Sequence, residues 1–353
     1  MTFRPLRFFI CMTILGYCAS SASAAILYSA DFNLTTDISN WTVNKAPTGS
    51  EANQGAITGF DYSAFGIPAA PGSSDTLGMR LRANVPGGDA APVTTRPAGT
   101  QSGLSVSPTG QSFGTNYGMT FYAWSNFNGA ANAAGLADNG ASQGGTNNVL
   151  FAVGTSGTVP LVVGNTGLAA APAAMDGIGF ATTGDGGITN DYRVYPQSGT
   201  IAPTSAMAAG SYANTNAYYT ALFPAVSAPA IQQTISTAEF NDGANNTQAG
   251  QTQVGSFGFA WHKVTITKNN GFVYWDIDEN RIATYDASAL TLGGSNIALG
   301  QSDVNTTTTR HPSLLFTVYD NLSVYEVPEP ASCTLVVLSM AAVGLVSRRR
   351  RGA

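Results

Sequence analysis

The sequence predicts an all-β domain with long loop insertions, and three observations carry that prediction. Apolar residues recur in short alternating runs bounded by Gly, Pro, Asn and Asp, the pattern of strands with one buried face. No stretch of the central chain sustains a helical period. Charged residues make up only 10% of the 353 positions and aromatics another 10%, so the chain has rings for a core and too little charge for charge-driven disorder.

The elements follow in order. Ile26 to Phe32 reads as a first strand, and Asp31, Asn33 and Asp37 lead into a short second one at Trp41–Val43. Residues 44–75 are turn-rich, with Phe60, Tyr62 and Phe65 scattered among them. Thr76 to Ala83 alternates, with Leu77, Met79 and Leu81 on one face and Arg80 and Arg82 on the other. Residues 84–112 read as loop with a short strand at Leu104–Val106. Tyr117 to Phe127 carries aromatics on both faces, as a central strand does. Asn128 to Asn148 reads as an exposed loop. Val149–Val153 and Val159–Val163 suggest a hairpin, and Gly177–Thr182 with Asp191–Tyr195 suggests another. A short helix is expected within Ser205–Thr220, and Pro224 and Pro229 break the chain after it.

The most explicit prediction is a hairpin of Trp261–Thr267 and Phe272–Asp278 across Asn270–Gly271, a pair that favours the type I′ turn. With Asn269 opposite Phe272, Ile266 meets Trp275 and Val264 meets Ile277 on an apolar face. Thr267 meets Tyr274, Thr265 meets Asp276, and Lys263 meets Asp278 as an ion pair on a mostly polar face. Ile282–Tyr285, Asn296–Leu299 and the closing run Leu314–Val327 complete the strands. This order of WHKVTI, FVYWDID, NIALG and YDNLSVYE resembles the concanavalin A-like lectin/glucanase (laminin G-type) jelly roll. The resemblance implies a jelly-roll β-sandwich over residues 25–326, with Ile26–Phe32 beside Asn321–Val327.

The two ends of the chain differ from the core. Arg4 and Arg7, the apolar run Phe8–Ala19 and the small residues to Ala25 read as a signal peptide helix over 1–24, with Ala22-Ser23-Ala24 as cleavage site. Leu15-Gly16-Tyr17-Cys18 offers a lipoprotein reading, which the bulk of Tyr17 opposes. At the other end, Val327-Pro328-Glu329-Pro330 precedes the uncharged stretch Ala331–Val346 and the cluster Arg348, Arg349, Arg350, Arg351. A helix of that length is roughly 24 Å long against a hydrocarbon core of about 30 Å, a short transmembrane helix. The Arg cluster stops transfer on the cytoplasmic side. Two readings stand: a plain tail anchor, and a sorting tail that is recognised and removed. The three parts in this order resemble the PEP-CTERM sorting domain of Gram-negative bacteria. That resemblance implies processing by an exosortase, a membrane-tethered precursor, and a final place at the cell surface or in the extracellular matrix, in association with exopolysaccharide and biofilm production.

Removing both ends removes all three cysteines, Cys11, Cys18 and Cys333, and so excludes a disulfide or Cys nucleophile from the core. Nine basic residues then face nineteen acidic ones, a net charge of about −10, which speaks against a nucleic-acid partner. With only His262 and His311, zinc ligands are scarce. Asp276-Ile277-Asp278-Glu279 lacks the alternation of a jelly-roll glycosidase, whose two acids share one face of a strand. Asp276 and Asp278 have the spacing of a Ca²⁺ loop, but Arg281 stands where such a loop needs Gly; Asp185 and Asp191 flank a Gly-rich turn and have a similar claim. Turn capping explains both sets as well. Trp261, Phe272, Tyr274 and Asp276 are the candidate sugar-binding residues, since rings stack on sugar faces and carboxylates bond hydroxyls. Burial of that face under the long insertions would make the same rings ordinary core. The expected function is an exported, non-enzymatic envelope or matrix protein with polysaccharide as candidate ligand. The alternative is a glycan-active jelly-roll enzyme with an unrecognised site.

Overall fold

The structure is a computed structural model that describes residues 24–46, 51–83, 85, 102–127, 147–161, 175–186, 190–196, 206–239, 251–303 and 312–328. The expected signal helix, the loop 128–146, His311 and the tail from Glu329 lie outside the described residues. No described helix is long and apolar enough to cross a membrane.

Among the described residues, fourteen strands form two antiparallel sheets packed face to face as a jelly-roll β-sandwich. They are β1 (Ile26–Ala30), β2 (Trp41–Ala46), β3 (Gly55–Asp61), β4 (Leu77–Arg82), β5 (Ser102–Pro108), β6 (Tyr117–Asn126) and β7 (Asn147–Thr155), then β8 (Ile178–Thr183), β9 (Tyr192–Tyr195), β10 (His262–Asn269), β11 (Phe272–Ile277), β12 (Asn280–Asp286), β13 (Asn296–Asp303) and β14 (Phe316–Glu326). One sheet runs β12-β11-β10-β6-β14-β4-β3, with β1 also paired to β14; the other runs β2-β5-β13-β7-β8-β9. Two short helices, α1 (Ala217–Leu222) and α2 (Gln232–Glu239), lie in the long connection between β9 and β10.

The β10–β11 register is the expected one from Asn269↔Phe272 to Val264↔Ile277. Asn270 and Gly271 both take positive φ, 50° and 83°, the backbone a type I′ turn requires. The first and last strands pair as expected, with Ser29 opposite Ser323 and Ala30 opposite Leu322. β1 ends before Phe32, whose φ of 59° breaks the extended backbone. β8 and β9 also pair as expected. The hairpin expected from 149–153 and 159–163 does not form. Instead β7 lies between β8 and β13, and a long central strand with partners on both sides has no need of the nearer segment. β3 is a strand that the turn-rich composition of 44–75 concealed.

The main core lies between the sheets. Met119, Phe121, Val264, Ile266, Val273, Trp275 and Tyr319 of the larger sheet meet Leu104, Val106, Phe151, Phe180, Val194 and Leu299 of the smaller. The outer face of the larger sheet is divided in two. Over β3, β4 and the adjoining halves of β6 and β14, the insertion after β3 covers a second cluster of Phe60, Tyr62, Ile67, Trp124, Phe316 and Val318. Arg80, expected on a polar face, is 9% exposed there, with its guanidinium 4.5 Å from the Phe60 ring centroid. Over β10, β11 and β12 the outer side chains alternate partly exposed with buried ones, so that half stays open to solvent.

Candidate functional site

The open half of the larger sheet is built from alternation. On β10 and β11, Thr265, Thr267, Phe272, Tyr274 and Asp276 point away from the core because Val264, Ile266, Val273 and Trp275 point into it. Neighbouring β6 adds Thr120, whose hydroxyl lies 3.1 Å from that of Thr265. The Phe272 and Tyr274 rings stack with centroids 6.3 Å apart and 22° between planes. Arg281, on β12, lays its guanidinium 4.5 Å from the Tyr274 centroid and is clamped by both oxygens of Asp276, at 2.5 and 3.3 Å. The guanidinium is held flat by a bidentate carboxylate on one side and a ring beneath it. The result is a shallow platform of two rings, a fixed cation and a row of threonine hydroxyls.

Trp261 does not join this platform. It sits at the far end of β10, about 25 Å from the turn by strand rise, and its ring packs against Tyr62 and Trp124 at 5.2 and 5.8 Å. Its indole N–H donates to the Pro68 carbonyl at 2.7 Å, so the insertion after β3 claims it for the second cluster. The expected Lys263–Asp278 ion pair is also replaced. Asp278 and Glu279 both take positive φ in the β11–β12 turn. That turn sets Asp278 against His262 Nδ1 at 2.6 Å and the Lys263 backbone N–H at 2.9 Å, leaving Glu279 to the Lys263 ammonium at 3.6 Å. His262 thus has a carboxylate partner. A Ca²⁺ ion at Asp276 and Asp278 would have to displace Arg281 from one and His262 from the other. Among the described residues no three His, Cys, Asp or Glu side chains converge to hold a metal.

Beside the platform, β14 bulges between Asp320 and Ser323, where Asn321 takes a φ of 51°. The bulge and β1 enclose a polar hollow of about 250 Å³ lined by Ser29, Ala30, Asp31, Asn321, Leu322 and Ser323. Asp320 is fully buried behind it and accepts from the Tyr62 hydroxyl at 3.0 Å and the Asn321 N–H at 2.7 Å. Burial, more than the nearby Asp75 and Asp31, pushes its carboxyl up to about 7. Asp185 is likewise pushed up to about 7, first by burial and then by Asp191. Asp191 itself accepts from the Thr183 hydroxyl at 2.6 Å and the Asn214 N–H at 2.9 Å, closing the turn before β9 as a capping residue does. Neither the bulge nor the Asp320–Tyr62 pair has a signal in the sequence, because the partners stand 258 positions apart.

No curated protein sequence matches the chain. Among solved structures, it is similar to a protein of unknown function with galectin-like fold from Bacillus subtilis at 9% identity, covering 86% of this chain and 96% of that one with a TM-score of 0.37. It is similar to the exoplasmic/lumenal domain of VIP36 in a Ca²⁺/Man3GlcNAc-bound form at 8% identity, covering 86% and 92% with a TM-score of 0.35. A sialidase aligns at 7% identity over 86% of this chain but 19% of its own, with a TM-score of 0.39. At these scores the fold assignment rests on the strand order and registers above. The C-terminus matches a family: residues 326–351 fit the PEP-CTERM protein-sorting motif, so this chain carries that motif starting on the last residue of β14.

Proposed function

We propose that this is an exported, non-enzymatic protein of the cell envelope or extracellular matrix that binds polysaccharide on the open half of its larger sheet. Its tail delivers it through an exosortase, and the tether ends when the tail is removed. The observation that carries the binding reading is the Phe272–Tyr274 stack beside the clamped Arg281. The Phe272 and Tyr274 rings stand 6.3 Å apart on successive outward positions of β11, so a polymer lying along the strand meets both. Around them Thr265, Thr267 and Arg281 supply hydroxyl and guanidinium partners without rearrangement, which lowers the ordering cost of binding. A shallow, open platform suits a long polymer more than a small ligand.

The protein without its signal peptide, passed over immobilised polysaccharides that include the exopolysaccharide of its own host, is expected to be retained by at least one. Tyr274→Ala should weaken that retention about tenfold, the worth of one ring contact and its cation. Retention on no glycan would leave a purely structural role, and reducing ends released from any polysaccharide would mean the protein is an enzyme. For the tail, mass spectrometry of envelope and medium fractions is expected to find a mature protein that lacks Arg348–Arg351. An intact C-terminus in both fractions would turn the reading to a plain anchor.

A further inference from the structure

The sandwich has two ends, and the strand registers sort the exposed apolar side chains between them. Glu326 lies opposite Tyr117, Tyr117 opposite Lys268, and Asn269 opposite Phe272. On the other side of β14, Ile26 lies opposite Tyr325, and the Glu326 N–H donates to the Ala25 carbonyl at 2.9 Å. The start of β1, the end of β14 and the β10–β11 turn therefore share one end. Ile26, Leu27 and Phe272 are there, 62%, 43% and 38% exposed. They are three of the seven exposed large apolar side chains among the described residues, and they lie along the end at which both termini of the domain emerge, with Phe272 four strands away from Ile26.

The chain beyond that end is short. Ala331, where the apolar stretch begins, follows Glu326 by five positions. Five residues reach at most about 17 Å. The polar zone of one bilayer leaflet takes up roughly 6 Å of it. With the apolar stretch in the membrane, the end of the sandwich from which the tail leaves is held within about 11 Å of the bilayer surface.

We infer that in the tethered precursor this end of the sandwich rests on the lipid surface, with Ile26, Leu27 and Phe272 in the interfacial zone. Large apolar side chains at the headgroup level are favoured, whereas in water they cost free energy in proportion to exposed area. The acidic groups at this end, Glu326 and Asp286, are both exposed and disfavour an anionic surface. The contact is therefore apolar and does not depend on charged lipid. The platform of Tyr274 and Arg281 then stands upright beside the bilayer until the tail is cut. The inference rests on the tail acting as a tether; it shares Phe272 with the platform, so bilayer and glycan compete for that ring until the tail is cut.

The test uses residues 25–353 with Cys333→Ser, which leaves no native cysteine, reconstituted into phosphatidylcholine vesicles. An environment-sensitive fluorophore is placed on Leu27→Cys, Phe272→Cys or Glu279→Cys. Glu279 lies at the opposite end, about 20 Å along β11. Nitroxide-labelled lipid is expected to quench the probes at 27 and 272 severalfold more than the probe at 279. Equal quenching at the three positions, stronger quenching at 279, or none at all in floating vesicles would overturn the docking. Failure of the chain to float with the vesicles would overturn the tether on which it rests.

Discussion

Trp275→Ala is expected to lower stability by about 3–5 kcal/mol, near the whole stability of many domains. The indole is fully buried at the centre of the main core, with ring centroids of Phe151, Phe180 and Tyr192 at 5.3, 5.4 and 6.2 Å. Those neighbours come from the smaller sheet, on β7, β8 and β9, so the side chain is a principal contact between the layers. Alanine leaves a cavity that two hydrogen-bonded sheets have little freedom to close. Trp275→Phe should cost much less, about 1–2 kcal/mol. The indole N–H has no partner among the described residues, so phenylalanine removes a buried unsatisfied donor along with part of the volume. Thermal unfolding of the two variants checks the pair: equal losses would mean that the indole nitrogen is satisfied.

The second large effect is on pH dependence. Asp320 is raised by burial to about 7, from 3.8 in an unfolded chain. Between those values the folded protein holds a proton that the unfolded chain releases. Stability from this group is therefore full below about pH 4 and is lost as pH rises through 7, a difference on the order of 4 kcal/mol. Asp185, raised in the same direction, adds to it. The melting temperature is expected to fall between pH 5 and pH 8, and Asp320→Asn should flatten that fall and be more stable than the parent at pH 8. The amide can keep the bonding: its oxygen accepts from the Asn321 N–H, its nitrogen donates to the Tyr62 hydroxyl, and that hydroxyl turns toward the Asp75 carbonyl, already 3.4 Å away. A variant less stable than the parent at pH 8 would show that the charged carboxylate is the favoured form.

The legible parts of this fold were those where a local rule suffices. The β10–β11 hairpin could be written out pair by pair because Asn270–Gly271 sets a two-residue turn and alternation fixes which side is buried. The β8–β9 pair was legible for the same reason, whereas the helix expected within Ser205–Thr220 begins only at Ala217 and runs on to Leu222. The hairpin expected at 149–163 failed on the same logic. Proximity in sequence favours a neighbour, but β7 found two better partners in β8 and in β13, which begins 141 residues after the end of β7. In the candidate site, the facing of Phe272, Tyr274 and Asp276 followed from alternation. What they touch did not: Arg281 reaches Asp276 from the next strand, and Trp261 leaves the group because the insertion after β3 lies over it.

By itself, then, the sequence determined the address and the class. The sorting motif is a linear signal, complete in consecutive residues, and alternation with turn residues is enough to specify an all-β chain. Only the tertiary structure decided which half of the larger sheet's outer face stays open, where Trp261 packs, that Asp320 is buried, and which end meets the tail. Those outcomes depend on which insertion covers which strand, and such contacts join residues as far apart as Tyr62 and Asp320, whose free energy of burial no local pattern encodes.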